Sequence, residues 1–387
     1  MKRRLVEFVS DAASWLNRIL PKRDRVLIQG YPNIEPSAVE VANKVVELKD
    51  IKVYYVVSGK SPDRPDKLLH PEIKTVRRES LSYFYFFLTS KYIFFTHGAF
   101  LKKLSSSQVV VNIWHGLPYK KIRKMVGGED LVADYTVGTS YPTKKIFSES
   151  FGVPEASVVT TGYPRNEQLM RAQGNRDKIL SKADPTLLGF KNLMIWLPTY
   201  RKNTVGLRRE DGQEIGNPFY IKDFDVEHFN KKLREENSFC IVKPHPMAIK
   251  YHNRSLSNLL FIDDQWLSQR GITLYDLVGC TDFLISDVSS IILDYLLLDR
   301  PILCVSTDFD AYGNTRGVYF QDIENWIPAK VCRNQQEFFI EIEEVVFQKR
   351  DLYQEKRNEL RDYFFKGNKN STEDLINIIF KNGAFKR

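Results

Sequence analysis

The sequence predicts an α/β protein of two doubly wound halves facing one another across a cleft. Short apolar strands alternate with helix-like stretches along the chain, the pattern of doubly wound domains. The polar stretch Arg171–Pro185 interrupts the alternation, which restarts at Leu193 and so falls into two halves. Three strands run into residues suited to an anion, and an open parallel sheet places its ligands beyond the carboxyl ends of strands. The chemistry of those ends points to a phosphate ester.

Residues 1–23 carry Leu5, Phe8, Val9, Ala12, Trp15, Leu16, Ile19 and Leu20 at helical spacing, flanked by Lys2, Arg3, Arg4, Arg18, Lys22 and Arg23. That composition fits an amphipathic helix lying on anionic lipid, and equally a helix packed on its own domain. The first half, residues 24–175, is expected to hold strands near Val26–Gln29, Val53–Val57, Tyr92–Phe95, Val109–Trp114, Tyr135–Gly138 and Val158–Thr161. Between the first two, the spacing of Val39, Val41, Val45 and Val46, with Ser37 near the start, predicts a helix over Pro36–Leu48. The second half, residues 186–370, repeats the pattern with strands at Met194–Leu197, Phe239–Val242, Leu259–Ile262, Phe283–Ile285 and Ile302–Val305. Residues 371–387 read as a tail.

With 387 residues, 43% apolar and 27% charged, the chain has material for two cores and is too apolar to be disordered. No apolar run approaches the roughly 20 residues of a spanning helix, and the aromatic run Tyr83–Leu88 fits buried packing better. A signal peptide is not expected, because the N-terminus lacks a continuous apolar stretch and a small-residue cleavage site. Cys240, Cys280, Cys304 and Cys332 show no C-x-x-C spacing and read as buried thiols in a reducing cytoplasm. The net charge of +9 favours an anionic partner. No helix-turn-helix, zinc or RNA-binding pattern accompanies it, and a membrane surface or a polyanionic substrate explains the scattered basic clusters as well as nucleic acid does, with a solvated basic surface the plain reading of any one cluster; no nucleic-acid partner is expected.

The first of the three strand ends is Trp114-His115-Gly116-Leu117-Pro118. An imidazole there can act as general base, and Lys120 and Lys121 make its surroundings electropositive. In the second, Lys243-Pro244-His245-Pro246, two prolines fix the backbone around an imidazole and an ammonium able to offset phosphate charge. In the third, Asp287-Val288-Ser289-Ser290 leads into an apolar helix. Either serine could cap it, and the first amides could receive a diphosphate, while Asp287 would orient the loop or hold a substrate hydroxyl. Thr199-Tyr200-Arg201 offers a further hydroxyl and guanidinium at the same edge. Taken singly, each motif also has a plain structural reading: a hydrogen-bonded histidine, a closed strand, an ordinary serine cap.

In order, the pieces resemble the CDP-glycerol glycerophosphotransferase family, the teichoic acid primases and polymerases of bacterial cell envelopes. They are Trp114-His115-Gly116 with Pro118 and Lys120-Lys121, Gly162-Tyr163-Pro164-Arg165-Asn166, Pro198-Thr199-Tyr200-Arg201, Lys243-Pro244-His245-Pro246, and Ile285-Ser286-Asp287-Val288-Ser289-Ser290 with Asp294. The resemblance covers roughly residues 90 to 320. It implies a GT-B architecture, with an acceptor-side N-terminal domain and a C-terminal domain that binds the CDP donor, peripheral on the cytoplasmic face of the membrane.

The activity it implies is transfer of a polyol phosphate from CDP-glycerol or CDP-ribitol to a hydroxyl of a lipid-linked saccharide or polyol-phosphate acceptor, with release of CMP. Carried over by position, His115 resembles the base, and His245 with Ser289 and Ser290 the donor-phosphate contacts. Arg201 and Lys243 fall on the donor side; the reading of the residues themselves adds Asp287 there, Lys120 and Lys121 on the acceptor side, and Trp15, outside the resemblance, on the membrane side. Such a transfer rests on positioning and electrostatics. No Asp, Glu and His cluster has metal-ligand spacing, so no protein-built metal site is expected, with donor-borne Mg²⁺ left open. Two other readings stand beside this one: a GT-B glycosyltransferase using a nucleotide sugar, and a non-catalytic protein that binds an anionic polymer.

Overall fold

The computed structural model describes residues 2–98, 105–117, 120–199, 217–244, 256–309, 317–367 and 370–384. Helix α1 (Lys2–Ile19) leads into a seven-stranded sheet of order β3-β2-β1-β4-β5-β6-β7. The strands are β1 (Arg23–Gln29), β2 (Lys52–Val57), β3 (Lys74–Arg77), β4 (Ser90–Phe95), β5 (Val109–Asn112), β6 (Tyr135–Val137) and β7 (Val158–Val159), all paired in parallel. Their Val, Ile and Phe runs are buried, because helices cover both faces of a parallel sheet. Helices α2 (Pro36–Leu48), α3 (Leu81–Thr89) and α4 (Lys144–Phe151) make crossovers. Helix α2 matches the predicted span.

The stretch expected to be a linker holds the last residues of α5 (Pro164–Gln173) and the whole of α6 (Arg176–Ala183). Leu169, Ala172 and Leu180 are buried there, and the backbone carbonyl of Leu169 lies where a β-carbon on Gly279 would clash. Apolar residues at helical spacing inside a polar composition make this a packed joint.

The second sheet is six-stranded and parallel, in the order β10-β9-β8-β11-β12-β13. It comprises β8 (Asn192–Leu197), β9 (Ser238–Val242), β10 (Leu259–Phe261), β11 (Phe283–Ser286), β12 (Ile302–Val305) and β13 (Val331–Cys332). Alternate residues of β8 feed two cores: Leu193, Ile195 and Leu197 join the large core that continues into the first half, while Met194 and Trp196 join a smaller one on the other face. Helices α7 (Val226–Glu235), α8 (Asp264–Arg270), α9 (Leu274–Gly279) and α10 (Ile291–Tyr295) flank the sheet. The architecture is therefore the GT-B-like pair of parallel sheets that the sequence leads one to expect.

Residues 371–387 carry a helix over Ser371–Ala384 rather than an open tail. It returns to the first half, where Phe380 stacks on Tyr92 at 4.3 Å and Asn377 accepts from Lys49 at 3.2 Å. Helix α1 meets the protein through Ala13, which packs against the core, and through buried Ser14 and Asn17, of which Asn17 donates to Gln108 Oε1 at 3.0 Å. Along its second half the apolar residues Trp15 (62%), Leu16 and Ile19 (56%) are exposed. The Tyr83–Leu88 run is half buried, since Tyr83, Phe87 and Leu88 of α3 enter the large core while Phe84 and Tyr85 lie exposed with Leu81. Among the described residues, no helix is long and apolar enough to cross a membrane.

Candidate active site

Both sheets reverse strand order at one point, β1 against β4 in the first and β8 against β11 in the second, and such switch points open a crevice beyond the strand ends. At the first crevice, β4 runs into Thr96-His97-Gly98 and β5 into Ile113-Trp114-His115-Gly116. Trp114 takes a left-handed backbone, φ 46°, rare for a bulky side chain and a recurrent feature of functional loops. Its amide donates to Asn112 Oδ1 at 3.1 Å, and its ring packs edge-on against Phe151 at 4.7 Å. This turn brings His115 back over β4.

There His115 Nδ1 lies 3.0 Å from the carbonyl of Thr96. A carbonyl only accepts, so Nδ1 carries the hydrogen and the lone pair belongs to Nε2, the tautomer a general base needs. The ring stacks on His97 with centroids 3.9 Å apart and planes 4° from parallel. His97 in turn pairs through Nδ1 with Thr96 Oγ1 at 2.7 Å and meets Tyr31 edge-on at 5.6 Å. The residue is exposed on one side, yet burial of the ring holds its imidazole well below the usual histidine range, and the Arg78 charge, like any proton gained by His115, acts in the same sense. Sequence reasoning missed His97. Its signal was available: adjacent strands each end in a His-Gly pair.

The second crevice joins β8 to β11. Thr199 donates to Asp287 through its amide at 3.1 Å and its hydroxyl at 2.6 Å, and Ser286 Oγ donates to the Leu197 carbonyl at 2.6 Å. Asp287 therefore organises the loop ahead of Ser289 and Ser290. Ser290 occupies the N-cap position of α10 without a capping hydrogen bond from its side chain, and α10 has only five residues before it tightens into a 3₁₀ turn over Leu296–Leu298. Lys243, at the end of β9, is buried, and its ammonium pairs with Asp264 Oδ1 at 3.0 Å. The remaining sequence-predicted members, His245 and Arg201, lie outside the described residues, as does Pro118.

The two crevices meet. A β-carbon placed on Gly116, whose φ is +156°, would stand 2.5 Å from Ser290 Oγ, so the His115 loop and the serine loop are in contact. Below them Arg165, 4% exposed at the start of α5, donates to the His115 carbonyl at 2.5 Å and to Asp294 Oδ2 at 2.5 Å. Tyr163 donates to the Gly116 carbonyl at 2.8 Å, and Tyr275 donates to Asp294. Burial alone would favour loss of the Arg165 charge, but Asp294, with Tyr275, Tyr163 and Glu35, outweighs it and keeps the guanidinium cationic. Lys120 forms an antiparallel bridge with Val318, and the Lys121 amide donates to Gly317 at 3.1 Å, tying this edge to the second half. Lys121 also lines an open groove of about 750 Å³ with Phe309, Tyr319 and Phe320. The arrangement offers a base-competent imidazole on one wall and hydroxyls and amides on the other. Trp15, on the outward face of α1, belongs to a separate surface.

The sequence pattern of the CDP-glycerol:poly(glycerophosphate) glycerophosphotransferase family matches residues 13–381. A teichoic acid glycerol-phosphate primase of Bacillus subtilis is 23% identical over 368 residues, 94% of this chain and 84% of its own length. The teichoic acid ribitol-phosphate polymerase TarK of Staphylococcus aureus is 25% identical over 59% of this chain, and only 44% of TarK is matched. A teichoic acid poly(ribitol-phosphate) polymerase of Bacillus spizizenii is 29% identical over 69% of this chain and is matched over 43% of its own length. The chain thus spans less than half of the length of these two polymerases. The solved structure of the wall teichoic acid polymerase TagF superposes with a TM-score of 0.75 at 20% identity, covering 99% of this chain and 96% of that one.

Proposed function

The chain belongs to the CDP-glycerol:poly(glycerophosphate) glycerophosphotransferase family, and from that premise we propose that it transfers a polyol phosphate, glycerol phosphate first among the candidates, from a CDP-activated donor to a hydroxyl of a lipid-linked acceptor. The acceptor oxygen attacks the phosphorus that bears the polyol, the bond from that phosphorus to CMP breaks, and the hydroxyl proton passes to His115 Nε2. The observation that carries this reading is the contact between the His115–Gly116 turn and Ser290, because it sets a base with a fixed tautomer against the wall suited to the diphosphate. Ser289 and Ser290 would hold the donor phosphates, with His245 and Arg201 joining them. Asp287 keeps the loop in shape through Thr199. Lys243 would act through the field of its pair with Asp264 rather than as a lone cation. Donor binding is supported by relatives: a variant of TagF was soaked with CDPG. No metal is assigned to the step, and any Mg²⁺ would come with the donor.

The enzyme would work at the cytoplasmic face of the membrane, resting on the outward stripe of α1 and the neighbouring Leu81, Phe84 and Tyr85 of α3. Incubation with CDP-glycerol, CDP-ribitol or UDP-sugars and a lipid-linked acceptor tests the reaction. CMP release that stops in a folded His115→Ala variant is the expected result. UDP release instead would favour the nucleotide-sugar reading, and undiminished CMP release by the variant would remove His115 as the base.

A further inference from the structure

Arg165 belongs to a motif, Gly162-Tyr163-Pro164-Arg165-Asn166, to which sequence reasoning gave no role. It is a buried cation, and its two terminal nitrogens serve different halves of the molecule. Nη1 donates to the carbonyl of His115 and Nη2 to Asp294. Asp294 lies on α10, immediately after the serine loop. A pair built for its own strength would use both nitrogens of the fork on both carboxylate oxygens. Here Arg165 Nε and Asp294 Oδ1 are buried without a partner, and the second prong is spent on the peptide of the histidine. The rings of Tyr163 and Tyr275 lie against the guanidinium, each 4.9 Å from it, and fix its plane. Tyr163 also clamps the next carbonyl, that of Gly116.

We propose that Arg165 and Asp294 form a positioning pair that sets the His115 imidazole in register with the donor-side serine loop. Neither touches the reacting atoms. The pair acts by holding the His115 peptide, so that the ring keeps its Nδ1 bond to Thr96 and presents Nε2 at one fixed place relative to Ser290. The inference rests on His115 being the base of the proposed transfer.

The test uses the full chain with Arg165→Lys, Asp294→Asn and the double variant. Lysine keeps the charge but cannot reach both partners, and asparagine keeps the shape without the charge. For each variant, kcat, the calorimetric Kd for CDP-glycerol, the melting temperature and the ¹⁵N signals of the His115 ring are measured. The expected result is a fall in kcat of about 10–100-fold, the scale of a misplacement near 1 Å, with Kd for CDP-glycerol within about threefold of the wild type. The double variant should be no slower than the worse single one. The His115 signals should move away from the Nδ1-protonated pattern even without substrate. If the wild-type chain releases no CMP, the transfer reading fails, and the ring signals still decide the positioning role. Unchanged kcat and ring signals would overturn the proposal, as would a lower melting temperature with an unaltered ring and unaltered turnover per folded molecule.

Discussion

Replacing Glu35 by Gln removes a carboxyl that the fold keeps out of water. Glu35 is 3% exposed at the N-cap of α2, where its Oε2 accepts from the Ala38 amide at 2.7 Å. Burial raises its pKa from 4.5 to about 7, against the lowering pull of Arg165 and of the Ala38 and Ser37 amides. A carboxyl raised in this way holds its proton more tightly folded than unfolded. The stability contributed is therefore fully present below about pH 4.5 and is lost as the pH rises through about 7. The interval corresponds to roughly 3 kcal/mol, at about 1.4 kcal/mol for each tenfold change in proton affinity. Glutamine keeps an acceptor for the Ala38 amide and does not titrate. Urea unfolding of both proteins between pH 4.5 and 8 should show the Glu35→Gln variant gaining on the wild type by a few kcal/mol, most of it between pH 5 and 7. A difference that stays flat over that range would refute the burial argument.

Gly116→Ala should misplace the serine loop, since the new β-carbon meets Ser290 Oγ at 2.5 Å and Ser290 Cβ at 3.2 Å on a backbone with φ +156°. A cost of about 1–3 kcal/mol in thermal unfolding and a fall in turnover are expected, with only partial recovery on adding Ser290→Ala; an unaffected Gly116→Ala enzyme would mean that the two loops do not touch in solution. For the proposed membrane contact, Trp15→Ala/Ile19→Ala should weaken binding to anionic vesicles by about 10–100-fold, because two largely exposed apolar side chains are worth roughly 1.5–3 kcal/mol together when buried in lipid. Co-sedimentation unchanged by the double variant, or indifferent to salt, would place the contact elsewhere.

Much of the fold was legible because parallel strands buried on both faces leave continuous apolar runs, as in Val109–Val111 and Phe283–Ile285. The strands that escaped notice were β3 and β13, which alternate or are too short to stand out: Lys74-Thr75-Val76-Arg77 buries one residue in four, and β13 has two residues. The α5–α6 joint was hidden by its polar composition, since only a few apolar side chains hold it. Helix α1 was ambiguous for a different reason. Periodicity reveals a stripe but not which way it faces, and the direction here is set by Asn17 reaching Gln108, a contact between residues far apart in sequence.

The candidate site divides along the same line. Strand-end motifs are local, so His115, Asp287, Ser289 and Ser290 could be picked out one by one. What joins them is not local: Arg165 meets Asp294 across 129 positions, and Gly116 meets Ser290 through space. The serine loop also has a physical lesson. A helix of five residues has a weak aligned dipole, and the Ile292 and Leu293 amides already donate to the carbonyls of Ser289 and Ser290, so α10 alone is a poor anion holder. On the proposed reading, the donor-side wall would draw its hold on a diphosphate from side-chain hydroxyls and loop amides, with the loop kept in shape by Asp287 and Thr199. Lys243, paired with Asp264, brings no unpaired charge to that wall. If the donor binds as proposed, its affinity depends on the loop's shape rather than on a helix dipole.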